Sequence, residues 1–242
     1  MKQYAIRRIR LGSILLVALV LVLLVQFVWR DETTSAFARL PEQTLVIDPG
    51  HGGEDGGAVS VSGQKESDVN LAIALQLDQL MGFYGVHTLL TRETDVSIHD
   101  QSAATLREKK VSDLHNRAAM IQAVQNATLI SIHQNSYPSQ KYHGAQVFYA
   151  DETLSLPLAR QVQETFRAAL DPENTRAAKP IASSVYLMNH ISCRAILVEC
   201  GFLSNPEEDR LLQEQAYQRK LAMVMAASYI NCGDTQEGES LI

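Results

Sequence analysis

Past residue 40 the chain alternates short apolar runs with stretches whose apolar residues recur at helical spacing. Thr44 to Asp48 (TLVID) is an apolar run stopped by Pro49-Gly50, the pattern of a buried strand. Asp68 to Met81 carries apolar side chains three and four apart and ends at Gly82, as a helix packed on one face does. Val86–Thr91 predicts a second strand, Ser112–Val124 a helix, Thr128–His133 a third strand and, after Gly144, Ala145–Ala150 a fourth. Ser155–Leu170 reads as a helix, Val185–Met188 as a short strand, Ala195–Glu199 as a buried strand, and Pro206–Asn231 as helical with a break. Asp95 to Ser112 reads as a polar loop of unusual length. Strands alternating with helices predict an α/β fold: a three-layer α/β/α arrangement with a mainly parallel, mixed central sheet covered on both faces.

The first forty residues obey a different rule. A basic head (Met1 to Arg10) precedes Leu11 to Val28, which holds no charge and only Gln26 as a clearly polar side chain. At 1.5 Å per residue this run spans about 27 Å as a helix, enough for the hydrocarbon core of a bilayer. The fold is therefore predicted to be preceded by an N-terminal transmembrane helix. Basic residues before it and Asp31-Glu32 after it predict a cytoplasmic N-terminus and a body outside the cytoplasm. Ala36-Phe37-Ala38 resembles a signal-peptidase site, so cleavage is the competing reading. That site lies late, beyond Arg30, Asp31 and Glu32, and the retained anchor is preferred.

The 242 residues are 46% apolar and 20% charged, which suits one domain with a sizeable core. Net charge is −6; since the first ten residues contribute +4, the remainder carries −10 and offers no clustered basic surface for nucleic acid. Cys193 and Cys200 on one extended strand would stand over about 20 Å apart, beyond disulfide reach. Cys193, Cys200 and Cys232 show no CxxC spacing and are expected as free thiols rather than zinc ligands.

The chemistry gathers at strand ends. His51 follows the first strand by three residues, His133 closes TLISIH, and Glu199 closes AILVE. In an open α/β sheet the carboxyl edge is where loops diverge and sites form. Glu66, just ahead of the DVNLAIAL helix, reaches the same edge if the glycine-rich loop after His51 folds back. Two imidazoles and a carboxylate suit a catalytic zinc with one open position, and a fourth carboxylate can then carry protons. The same ligand types also suit non-heme iron. His87, His99, His115, His143 and His190 lack comparable placement and read as surface or structural. Arg92 and Arg117 read as loop-tying residues ahead of ligands for an anionic peptide, and Asp48 as a partner for a ligand imidazole.

VIDPGHGGEDGGA, KESDVNLAIAL, LLTRETD, NRAAMIQ, LISIHQNS and ILVECGFLSNPEE occur in an order and spacing that resembles the type 3 N-acetylmuramoyl-L-alanine amidases, from about Gln43 to Asn231. The resemblance implies a zinc held by His51, Glu66 and His133, Glu199 as catalytic acid/base, and cleavage of the amide joining the stem peptide of peptidoglycan to its sugar strand. Where the family often has Ala-Asn-Ala after the second histidine, this chain has Gln134-Asn135-Ser136. The N-terminal apolar segment, the lack of wall-binding repeats and ENTRAAKPIASSVYLM (Glu173 to Met188) resemble the spore-cortex, germination-specific members, which act toward muramic δ-lactam. No insertion is long enough for the self-blocking helix of division amidases, which implies control by expression or by a partner protein. The expected organisation is a head and anchor over 1–30, a linker over 31–42, a zinc amidase domain over 43–232 and a flexible tail over 233–242. The alternatives are a vegetative wall autolysin, a zinc exopeptidase of similar fold and a non-catalytic wall-binding protein.

Overall fold

The computed structural model describes residues 43–239. The apolar segment over 11–28 and the linker over 31–42 lie outside the described residues. Among those described, no helix is long and apolar enough to cross a membrane.

Six strands form one sheet: β1 (Thr44–Pro49), β2 (His87–Leu90), β3 (Ala127–Asn135), β4 (Gln146–Tyr149), β5 (Lys179–Pro180) and β6 (Arg194–Phe202). Their order is β2-β1-β3-β6-β4-β5, parallel throughout except where β4 runs antiparallel to β6. Side chains on a strand alternate between faces, and both faces here are apolar. Leu45 and Ile47 of β1, Ile130 and Ile132 of β3, and Ile196 and Val198 of β6 enter one core. That core is closed by α1 (Glu66–Phe83), α3 (Leu156–Ala169) and α6 (Gln215–Glu239). Val46, Leu129, Ala195 and Leu197 point the other way, toward α2 (Leu106–Gln122) and the single turn α4 (Tyr186–Asn189). A short helix, α5 (Pro206–Leu212), precedes α6, and the break expected after Pro206 falls at Gln213-Glu214. The helix α6 then runs through Glu239, past Asn231 where the sequence pattern places its end. Helices on both faces of a mostly parallel sheet are the layers that the alternating pattern predicts. Cys193 and Cys200 carry free thiols.

Two local readings need correction, and one short strand goes unread in the sequence. Val185–Met188, read as a strand from its Val and Tyr, is helical from Tyr186. Leu187 and Met188 are drawn under the sheet, and the Asn189 side chain donates back to the carbonyls of Ala182 and Val185 at 3.0 and 2.7 Å, closing a turn. The polar stretch over 95–112 is loop only to Thr105. There a capping box starts α2: Thr105 Oγ1 accepts from Glu108 N–H at 3.2 Å, and Glu108 accepts from Thr105 N–H at 2.9 Å. The two-residue strand β5 contains Pro180 and sits at the sheet edge, the position a proline tolerates.

Register sets the relative height of the strand ends. Pro49 lies opposite Ile132, and His133 lies opposite Glu199. Three strands therefore end level, and the groups just beyond them face one edge. The core under that edge is tight. Leu77 of α1 is fully buried, so Leu77→Ala is expected to lower unfolding free energy by about 3 kcal/mol through lost transfer energy and a residual cavity. A urea titration showing a loss below about 1 kcal/mol would mean that α1 is not seated on the sheet as described.

Candidate metal centre

After Pro49 the chain leaves the sheet through a turn that few residues can make. His51 has a positive φ of 62°, uncommon for a residue with a Cβ. A Cβ at Gly50 would fall 2.2 Å from His133 Cε1, so only glycine lets the turn pass over that ring. The Gly50 N–H still donates to the Ile132 carbonyl at 3.0 Å, as a strand would, but the carbonyls of the turn point away from the sheet and find side chains instead. Pro49 accepts from Arg92 Nε at 3.0 Å and Arg117 Nη1 at 2.9 Å. Gly50 accepts from Arg92 Nη2 at 3.0 Å and Asn70 Nδ2 at 3.2 Å. His51 accepts from Arg117 Nη2 at 2.7 Å.

The two imidazoles expected at strand ends and the carboxylate expected just ahead of the DVNLAIAL helix come together. Donor atoms of His51, Glu66 and His133 all lie within 4.8 Å of one another. Glu66, the first residue of α1, is 4% exposed and bridges the rings: Oε2 is 3.2 Å from His51 Nε2, and Oε1 is 3.0 Å from His133 Nδ1. Its oxygens also accept from the N–H groups of Ala58 at 2.9 Å and Gln134 at 3.1 Å. Burial alone would raise the Glu66 pKa, but the two imidazoles lower it far below the ordinary carboxylate range. Burial likewise opposes charge on His51, and Asp55 and Glu66 outweigh it, raising its pKa to about 9. The charge that raises the His51 pKa also attracts cations, and a metal bound at these donors would take the place of the proton.

Asp55 is the residue sequence reasoning missed. Its Oδ2 is 3.0 Å from His51 Nδ1, and its Oδ1 is 2.9 Å from Lys110 Nζ. This contact orients the ring and leaves Nε2 directed toward Glu66, the usual way an imidazole is prepared for a metal. The acidic residue four places after His51 in HGGED was the available signal.

Asp48 does not fill that role. Its oxygens accept from Thr91 Oγ1 at 2.6 Å, Arg117 Nη1 at 2.6 Å and Ser131 Oγ at 2.7 Å. Arg117 also donates to Asp113 at 2.7 Å. Arg92 and Arg117 are both buried and spend their N–H groups on the chain itself, which is the loop-tying role.

Glu199 faces the centre from β6, opposite His133 and outside the three-donor group. Its Oε2 is sealed from solvent with no hydrogen-bond partner among the described residues. Burial raises its pKa to about 7, with His133 pulling it down and Glu66 pushing it up. Two imidazoles, one fixed carboxylate and an orphaned carboxyl oxygen beside them fit a divalent metal with a reacting group next to it. The other histidines stand apart: His115, Tyr186 and His190 stack against one another, and His143 is 3.6 Å from Asp171.

A protein-family model described as N-acetylmuramoyl-L-alanine amidase matches residues 45–231. The chain is 38% identical over 186 residues to the germination-specific N-acetylmuramoyl-L-alanine amidase of Bacillus subtilis, covering 76% of each chain. It is 27% identical over 245 residues to the amidase AmiA of Escherichia coli, covering 82% of this chain and 80% of that one. Among solved structures, the CwlD amidase of Clostridioides difficile, in complex with the GerS lipoprotein, superimposes with a TM-score of 0.76 at 36% identity, over 79% of this chain and 98% of that one.

Asp48 offers a test of the clamp. Burial would raise its pKa, but Arg117, Thr91 and Ser131 lower it to about 2. A depressed carboxylate stabilises the fold fully above its unfolded pKa of about 3.9 and ceases to as pH falls through its folded value. Asp48→Asn should therefore cost about 3 kcal/mol at pH 7, leaving Arg117 short of a buried partner, and the deficit should shrink between about pH 4 and pH 2. Unfolding titrations in which the deficit is constant across that window would show that the pair does not set the acid limb.

Proposed function

The chain belongs to the N-acetylmuramoyl-L-alanine amidase family, and on that premise we propose that it is a membrane-tethered zinc hydrolase of peptidoglycan acting in spore-cortex maturation. The observation that carries the zinc reading is the convergence of His51, Glu66 and His133 beside a Glu199 oxygen that no protein group satisfies. His51, Glu66 and His133 would hold the ion. When bound there, zinc supplies Lewis acidity toward the scissile carbonyl and makes the attacking water more acidic.

The remaining work belongs to the chain. Glu199 accepts a proton from the attacking water as the new C–O bond forms at the amide carbon. It then delivers that proton to the nitrogen of the leaving L-alanine as the C–N bond breaks. A carboxyl held near pKa 7 suits both directions. Asp55 keeps the His51 ring turned toward the centre, while the N–H groups of Ala58 and Gln134 hold Glu66 in place. Gly57 lets the loop close on the site, since a Cβ there would fall 2.6 Å from Glu66 Oε2.

The sporulation reading is supported by the likeness to the Bacillus subtilis germination-specific enzyme and by the Glu173–Met188 segment. A protein partner belongs to the same reading, supported by the Clostridioides difficile relative having been solved with a lipoprotein. The tether rests on the uncharged run over 11–28 with its basic head.

His51→Ala, Glu66→Ala and His133→Ala should each lose zinc and activity together, whereas Glu199→Gln should keep zinc and fold while turnover falls by roughly 10² to 10⁴. Metal analysis and stem-peptide release from purified peptidoglycan read both. If Glu199→Gln loses the ion it is a ligand, and if it cleaves at the wild-type rate another group moves the proton. Separately, the full chain should sediment with membranes at unprocessed mass, and removing residues 1–40 should release an active soluble domain. A mature N-terminus at Arg39 refutes the tether.

A further inference from the structure

The catalytic edge carries a second cluster that the metal centre does not use. Two residues beyond His133, Asn135 pairs with Phe202 at the end of β6, about 7 Å further along β3 at ordinary strand rise. The loop over 136–143 folds across that point. Tyr142 stacks over Phe202 at 6.3 Å, and Tyr137 meets Tyr142 edge to face at 4.9 Å. Tyr137 and Tyr142 are 53% and 38% exposed, while Phe202 is buried beneath them. The loop is pinned: Tyr137 N–H donates to Ser204 Oγ at 3.0 Å, and Asn205 Nδ2 donates to the Gln140 carbonyl at 2.9 Å.

Two cations sit on these rings. Lys141 Nζ lies 5.4 Å from the Tyr142 centroid, and the Arg176 guanidinium lies 4.8 Å from that of Phe202. Arg176 Nε donates to the His143 carbonyl at 3.1 Å. The next carbonyl along, that of Ala177, receives Gln146 Nε2 at 2.6 Å, and Gln146 is the residue paired with Glu199 across β4 and β6. The backbone just after Arg176 is thereby tied to the strand position paired with Glu199. Among the described residues, neither Lys141 nor Arg176 has a carboxylate within ion-pair distance. Both therefore keep their charge available for a ligand at this edge, on a chain whose net charge is −6.

We propose that Lys141 and Arg176, backed by Tyr137, Tyr142 and Phe202, form a subsite for the carboxylate groups of the stem peptide. The subsite rests on the amidase reading, in which the scissile amide is the peptide's own attachment point. Carboxylates borne by the residues after that amide must then lie within several ångströms of Glu199. The planar fork of Arg176 matches a carboxylate bidentately, and Lys141 adds a mobile point charge. Neutral sugar gives no reason for either cation. Arg92 and Arg117 are no alternative, because both are buried in the loop clamp.

The test compares two N-acetylmuramoyl peptides, one with free stem carboxylates and one with each converted to carboxamide. The wild-type full chain is expected to show kcat/KM about tenfold higher on the free acid, carried by KM, the size of one charge-assisted hydrogen bond. Arg176→Gln and Lys141→Gln should bring that ratio toward one, and Arg176→Lys should retain part of it. Zinc content and circular dichroism show whether each variant is folded. A wild-type ratio near one, or variants that slow both substrates equally, overturns the subsite. A wild-type chain that releases no stem peptide from either substrate or from whole peptidoglycan overturns the amidase reading on which it rests.

Discussion

The turn from β1 into the loop that carries His51 depends on one buried guanidinium. Arg117 is 2% exposed and joins Asp48 and Asp113 to the carbonyls of Pro49 and His51. Past Gly50 that turn cannot hydrogen-bond as strand, and His51 sits in left-handed conformation, a state that costs energy unless its surroundings determine it. Arg117 supplies that determination from α2, on the far side of the sheet from Glu66, while Arg92 meets the same turn from the end of β2. A lysine would place one point charge where four directed N–H bonds are needed. Two guanidiniums side by side repel. Burial first, and then Arg117, lower the Arg92 pKa to about 10, still protonated at neutral pH because Asp48, Asp95 and Asp113 offset the repulsion.

With the turn held, register does the rest. His133 and Glu199 are partners across β3 and β6, so their separation is set by strand spacing, which loop motion does not alter. Only Glu66 arrives from elsewhere, and α1 delivers it at its first residue, where the glycines of the preceding loop allow close approach. The site thus stands mainly on rigid elements, the condition for geometry good enough to bind a metal.

The same division decides which parts are legible in the sequence. Apolar runs ending in His133 and Glu199 can be read because a buried strand is a continuous apolar segment and a polar residue closing it stands out. The tie between Asp48 and Arg117 cannot, because the two lie far apart in sequence and nothing local pairs them. Nearness in sequence to His51 suggests an imidazole partner for Asp48, whereas its hydroxyl and guanidinium partners come from β3, α2 and the end of β2. Val185–Met188 misleads because four residues carry too little periodicity, and tertiary burial of Leu187 and Met188 overrides β propensity. Asp55 is legible in principle, since a carboxylate four residues from a candidate ligand histidine within a tight loop has few other places to go.

The centre holds two glutamates with opposite properties, and environment alone separates them. Glu66 lies between two imidazoles and accepts two backbone N–H bonds, so its charge is compensated and its pKa is held far below the ordinary carboxylate range. Glu199 has a comparable depth of burial at Oε2 but no donor there, and the nearby Glu66 charge adds to the cost of ionising it. On the proposed reading, Glu66 is thereby suited to hold a cation and Glu199 to carry a proton, the division of labour that acid/base sites reach by driving paired pKa values apart. Exchanging the two environments would exchange the roles. A Glu199 given backbone donors would become an anion at neutral pH, and a cation bound at His51, Glu66 and His133 would then have a second carboxylate competing for it.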